Sequence, residues 1–234
     1  MRHSTSNTFR LGVVILFMLP APAFAIPAIT CHCFTDRSYD AAHPAAADPY
    51  FLATIQNSFF AAAFGVDKKT IVINKQRGVS ADDLWVAYWL AARSGADPDS
   101  LLEGRKNRGS WRQMATQSAI TVKSMGVKFA DALKNRASDE RLAEVVVDEL
   151  LLRFRFCGGS ELAALRNAGA GNQELILAGL ISAKTRQSAT QLYRNVKEGG
   201  MSWGTVLTRA RIDATEIQTE VAALVMSSTN PRSK

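Results

Sequence analysis

Two stretches of this chain say nearly the same thing. "NRGSWRQM" runs over 107–114 and "GGMSWGTV" over 199–206 of the 234 residues. Aligning their surroundings places Leu84 on Leu175, Leu101 on Leu192 and Gly109 on Gly200. One inserted residue later, Ser110 falls on Ser202, Trp111 on Trp203 and Ile120 on Ile212. A match sustained over both segments reads as an internal duplication, about 82–133 and 174–224. This constrains the fold more than any other feature, because each copy must take the same local structure in a different place. A fainter echo in "SELAALRNAGAGNQELIL" carries Leu162, Leu165, Arg166 and Gly169. The unit is then a helix, a glycine-bearing turn and a second helix opened by a capping residue.

Local signals favour helices throughout. Ser110 with Gln113 and Ser188 with Gln191 have capping-box spacing, which satisfies the first free N–H groups of a helix. Asp97 before Pro98 reads as a cap followed by a residue with no N–H to leave unpaired. Ser80 with Asp83 and Asp213 with Glu216 fit the same logic, and Asn172 is placed to cap "QELILAGLISA". Gly95, Gly109 and Gly200 stand where helices should stop, since glycine enters the left-handed region cheaply. Trp85, Tyr88, Trp89 and Ala92 form one apolar helical stripe, and Leu142, Val145, Val146, Leu150 and Phe154 another. Two segments, 68–75 and 152–157, also carry strand-like patterns and are read as helical or irregular.

The expected fold is all-α: repeated helix-turn-helix units in a compact helical body of about ten helices, with an N-terminal arm. The expected layout is a signal peptide over 1–25, the arm over 26–46, the helical domain over 47–228 and a disordered tail over 229–234.

The leader reading rests on "MRHSTSNTFR", which bears Arg2 and Arg10 and no acid. The apolar "LGVVILFMLP" follows, then "APAFA", where Ala23 and Ala25 make an A-x-A cleavage pair. A retained N-terminal anchor is the alternative, although the apolar run is short for a membrane span. No later stretch reaches spanning length, so the mature chain is expected to be soluble and periplasmic or secreted. The net charge is +7, and losing Arg2 and Arg10 lowers it by two. A moderately basic exported protein favours acidic envelope surfaces.

Three cysteines fall in "TCHCF" and "RFCGG". Outside the cytoplasm thiols pair, and cysteines one residue apart rarely meet disulfide geometry. The expectation is a bond from Cys31 or Cys33 to Cys157, stapling the arm to the body. A metal site is the alternative: Cys31, His32, Cys33 and Cys157, or His43, offer ligands suited to copper or zinc. Otherwise no cofactor is expected.

The run Arg105, Lys106, Arg108 and Arg112 is a solvated helix face or an anion-binding patch. "LLEGRKNRGSWRQMATQSAITVKSM" also has the outline of a DNA-reading helix-turn-helix, with Thr121 as cap and Lys123 and Lys128 on the second helix. An exported protein meets no routine duplex DNA, and the second copy puts Glu216 and Glu220 where the first is basic. Nucleic acid is therefore not expected as a partner. Trp111 and Trp203, with Gly109 and Gly200, are assigned to architecture, since a duplicated scaffold must fill the same gap each time. Past the leader the chain holds only His32 and His43, ahead of the helical body. No H-E-x-x-H or phosphate-binding glycine loop appears, and Asp82, Asp83, Asp97 and Asp99 read as caps and first-turn acids.

At "RGSW", "GMSWGTV" and the "CHCFTDR" segment the chain resembles exported bacterial hypothetical proteins with G-x-S/G-W helical units. That resemblance implies a style of helical fold and no reaction. The functional expectation is a non-enzymatic interaction or scaffold protein of the cell envelope. Its partner would be an envelope protein or an anionic surface. A periplasmic thiol or metal protein and an anion-binding module centred on Arg105–Arg112 are the alternatives.

Overall fold

A computed structural model describes residues 34–117 and 122–229. Among them are thirteen helices and no strand. The first group comprises α1 (Asp48–Phe64), α2 (Lys68–Gln76), α3 (Ala81–Ser94), α4 (Pro98–Arg108) and α5 (Trp111–Gln117). Next come α6 (Val122–Met125), α7 (Val127–Lys134) and α8 (Asp139–Arg153). The last group comprises α9 (Gly159–Asn167), α10 (Asn172–Thr185), α11 (Ala189–Lys197), α12 (Trp203–Arg209) and α13 (Ile217–Thr229). The number is above the ten or so expected. The segment 68–75 lies in α2, and 152–157 is the last turn of α8 followed by a non-helical corner.

The helices begin where oxygen-bearing side chains can reach their first amides. Ser80 Oγ accepts from Asp83 N at 2.9 Å, Asp97 from Ser100 N at 2.8 Å and Ser202 Oγ from Thr205 N at 3.0 Å. Ser110 and Ser188 cap α5 and α11 in the same way. Two expected caps are corrected. The N-cap of α10 is Gly171, whose N–H donates to Glu174, while Asn172 Oδ1 accepts from Arg166 instead. Asp213 binds Thr215 two residues on and makes a tight turn, so α13 starts only at Ile217.

Gly95 and Gly109 end α3 and α4 in the left-handed region, at φ 74° and 84°. Arg136, Arg155, Arg186 and Arg211 take the same conformation one or two residues past α7, α8, α10 and α12. No other non-glycine residue described has positive φ.

Helix burial places the core. Residues 53–61 of α1, 84–91 of α3 and 175–181 of α10 are buried without interruption. A helix buried on every side is surrounded rather than amphipathic. α1 packs on α2, α10, α12 and α13 and touches α3; α3 packs on α4, α6 and α8; α10 packs on α8, α11 and α13. α1 is therefore shared by a group around α3 and α8 and a group around α10. Phe59, Phe60 and Phe64 of α1 meet Trp85 and Tyr88 of α3, with Phe60 and Trp85 ring centroids 4.6 Å apart. Phe156, beyond α8, closes on Phe59 at 4.9 Å.

The buried face of α1 also carries polar groups, and they are paired. Gln56 accepts from Gln173 at 2.6 Å and Asn57 from Lys75 at 2.7 Å. Residues 34–47 lie against α1 and α12. A Cβ at Gly204 would sit 2.9 Å from Tyr39, 3.0 Å from Phe51 and 3.1 Å from the Pro44 carbonyl oxygen. Only a residue without a side chain lets these three segments meet.

Candidate functional site

One set of chemistry-bearing side chains joins four helices. Asp83, in the first turn of α3, accepts from the Trp111 indole N–H at 2.8 Å and from its cap Ser80 at 2.9 Å. Arg105 of α4 places Nε 3.4 Å from Asp83 and pairs through Nη2 with Asp139 of α8. The same guanidinium carbon stands 5.9 Å from the Trp111 ring centroid. Trp111 itself is 1% exposed. These contacts tie the N-termini of α3, α5 and α8 to the middle of α4.

Clefts open on both sides of this knot. One, of about 560 Å³, lies between α2, α3 and α4 and carries both signs of charge, Arg77 and Lys106 against Asp99 and Glu103. The other side holds two adjoining clefts of about 380 and 330 Å³ along α5, α7 and the start of α8. Arg112 and Leu133 line both of them.

Asp82 sits beside the knot. Burial raises its carboxyl above the ordinary range, and Glu140, Asp83, Asp139 and Glu144 raise it further. Burial also raises Asp48, against two backbone donors that lower it: Gly204 N at 2.8 Å and Trp203 N at 2.9 Å. Asp48 of α1 thus holds the first turn of α12.

The residues singled out from the sequence are spread over the molecule. Trp203 is 2% exposed and opens α12, as Trp111 opens α5. Gly109 and Gly200 are both left-handed. Of the basic run, Arg105 is held by two aspartates, Lys106 and Arg112 are exposed, and only the backbone of Arg108 is described. Lys128 lies 3.9 Å from Glu149. His43 is exposed and bonds Asp40 at 3.0 Å. Cys31, His32, Cys33, Thr121 and the leader lie outside the described residues, as does the side chain of Lys123.

The expected disulfide is corrected: Cys157 is a free thiol. It sits half-buried in the corner between α8 and α9, on the edge of an open cleft of about 510 Å³. Burial pushes its pKa up to about 11, with Glu161 and Asp148 adding to the rise and Arg166 opposing it. A thiol kept protonated is a poor nucleophile and a poor metal ligand. Among the described residues no three His, Cys, Asp or Glu side chains are grouped to hold a metal ion. No described helix is long and apolar enough to cross a membrane.

Four residues have places that local spacing does not announce. Asp83 was read as a first-turn acid, yet it anchors Trp111 and Arg105 across 28 and 22 positions. Asp139, Lys134 and Arg136 carry no motif, and only the packing of α7 and α8 beside α5 brings them to one place. The spacing of Trp111 after a cap was the one available signal.

No family model, curated protein or solved structure matches this chain.

Proposed function

We propose that the protein is a non-enzymatic interaction or scaffold module of the bacterial cell envelope. On this reading it is built from duplicated helical units with an N-terminal arm laid across them. The observation that carries the reading is the Arg105–Asp83–Trp111–Asp139 knot. The charged and aromatic groups of this cluster are occupied in joining α3, α4, α5 and α8.

The duplication draws support from matched element lengths. α3 and α10 each have 14 residues, and α5 and α12 each have seven, opened by tryptophan after serine. Export draws support from the basic, apolar and A-x-A succession ending at Ala25. The resemblance to exported proteins with G-x-S/G-W units points the same way.

Fractionation with N-terminal sequencing tests the location. A periplasmic chain beginning at Ile26 is expected; a cytoplasmic chain retaining its leader overturns export. Photo-crosslinking from the exposed position Val127 in intact cells tests the role, and a discrete protein adduct is expected. Turnover of an envelope component that is lost in a folded Asp83→Asn variant would replace this reading with an enzymatic one.

A further inference from the structure

The paired clefts along α5 and α7 bring together three surface cations that no described carboxylate compensates. Arg112, Lys134 and Arg136 line them, and all three are exposed. Among the described residues no carboxylate lies within ion-pair distance of any of the three. The only bond from a side chain among them is a long one, Arg112 Nη1 to the Lys134 carbonyl oxygen at 3.5 Å. By contrast Arg105 is matched by Asp83 and Asp139, Arg166 by Asp148, and Lys197 by Glu174. Asp139, the acid in these clefts, is turned to Arg105.

The floor between the cations is apolar. Leu133 is shared by both clefts, and Ala115, Met125 and Ala130 floor the outer one. Val127 extends this surface. It is 71% exposed, one turn before Ala130 and two before Lys134 on α7. It adds one exposed apolar side chain to the face of α7 that carries Ala130 and Lys134.

Shape decides between the anionic amphiphiles that could fit. The space consists of two small, open clefts that adjoin, with Arg112 and Leu133 lining both. An acyl chain needs one continuous trough to leave water. Two separate apolar side chains, with carboxylates between and beside them, match two small clefts rimmed by cations.

We propose that this groove binds an acidic peptide segment of a partner protein, seating two apolar side chains in the paired clefts. Its carboxylates meet Arg112, Lys134 and Arg136. The inference rests on the interaction reading above and names the partner chemistry and the site for it. It moves the anion site away from Arg105, whose charge is already matched.

The test uses the folded full chain without its leader and a fluorescent octapeptide of glutamates interrupted by two leucines. Fluorescence anisotropy should show saturable binding that weakens with salt. Replacing the glutamates by glutamines, or the leucines by serines, should each weaken it at least about ten-fold, the factor that loss of one or two good contacts produces. Arg112→Glu with Arg136→Glu should weaken it by at least as much, with an unchanged far-ultraviolet spectrum. Arg77→Glu with Lys106→Glu, in the cleft across the knot, alters net charge equally and should leave binding within about two-fold, since exposed charges remote from a site are screened.

Equal loss in both double variants would reduce the effect to net charge and overturn the proposal. So would absence of saturable binding, or binding that ignores the leucines. If vesicles of anionic phospholipid bind in place of the peptide, with the same sensitivity to Arg112 and Arg136, the groove is a membrane site and the peptide assignment is wrong. Failure here with adducts still forming in cells would leave the scaffold reading standing with its partner elsewhere.

Discussion

Trp111 shows how one residue can serve packing and charge together. Its ring is buried beside the Arg105 guanidinium of α4, and its indole N–H donates to the Asp83 carboxylate. Trp111→Phe keeps most of the ring but leaves Asp83 short of a donor. It should lower stability by about 2 kcal/mol in urea unfolding, the range for a hydrogen bond to a charged group plus a small void. Cys157 provides a second test at this scale. Its folded pKa is raised from the ordinary 9.0 to about 11, so the fold favours the protonated thiol. The stability this contributes is present below pH 9 and is lost as pH rises through about 11. Stability measured across that interval should fall more steeply in the native chain than in Cys157→Ala. At pH 8 the same substitution should remove none of the rapidly reacting thiol.

Helix ends, more than helix middles, decide how the elements meet. α12 has seven residues and gains its place through contacts made at its start: the Ser202 cap, the two N–H bonds to Asp48 and the close approach at Gly204. Gly204→Ala drives a methyl group into Tyr39, Phe51 and the Pro44 carbonyl, two of them ring atoms that can yield only by shifting a helix or the preceding segment. A loss of about 1–3 kcal/mol is expected, the usual cost of overpacking. Gly104→Ala, in α4, meets only the flexible end of Met114 and should cost less. Comparing the two by thermal unfolding separates a rigid contact from a yielding one. A similar Gly204 loss with Tyr39→Ala already present would show that the Tyr39 ring is not what the glycine accommodates, leaving Phe51 and the Pro44 carbonyl.

For the molecule as a whole, the position of α1 governs cooperativity. It is buried nearly all round and packs on α2, α10, α12 and α13 while touching α3 through the aromatic cluster. Helices from both parts of the chain therefore lose a wall if α1 leaves. Unfolding by denaturant should be one transition. Tryptophan fluorescence weights the first part, which holds Trp85, Trp89 and Trp111, whereas far-ultraviolet dichroism weights every helix. Coincident curves are expected from the two probes. Separated midpoints would show that the α3–α8 and α9–α13 groups stand independently.

Much of the helical character could be read directly, because caps, stops and apolar stripes are local. Ser80, Asp97, Ser110 and Ser188 announce helix starts through side chains that reach only two or three residues ahead. Where a local rule met a distant competitor it failed. Asn172 was drawn away by Arg166, and α10 took Gly171 as its cap. Four arginines end or follow helices in a conformation that sequence rules reserve for glycine or asparagine. The expected disulfide is absent too, since Cys157 is a free thiol. Counting cysteines shows how many thiols exist, whereas pairing depends on which surfaces the packed helices bring together. By itself, then, the sequence determined an all-helical chain with tryptophan after serine at two helix starts, since those features depend on neighbours along the backbone. Only the tertiary structure decided that Asp83 and Asp139 would match Arg105 while Arg112, Lys134 and Arg136 stay unmatched. Charges pair through space, and helix packing sets those distances.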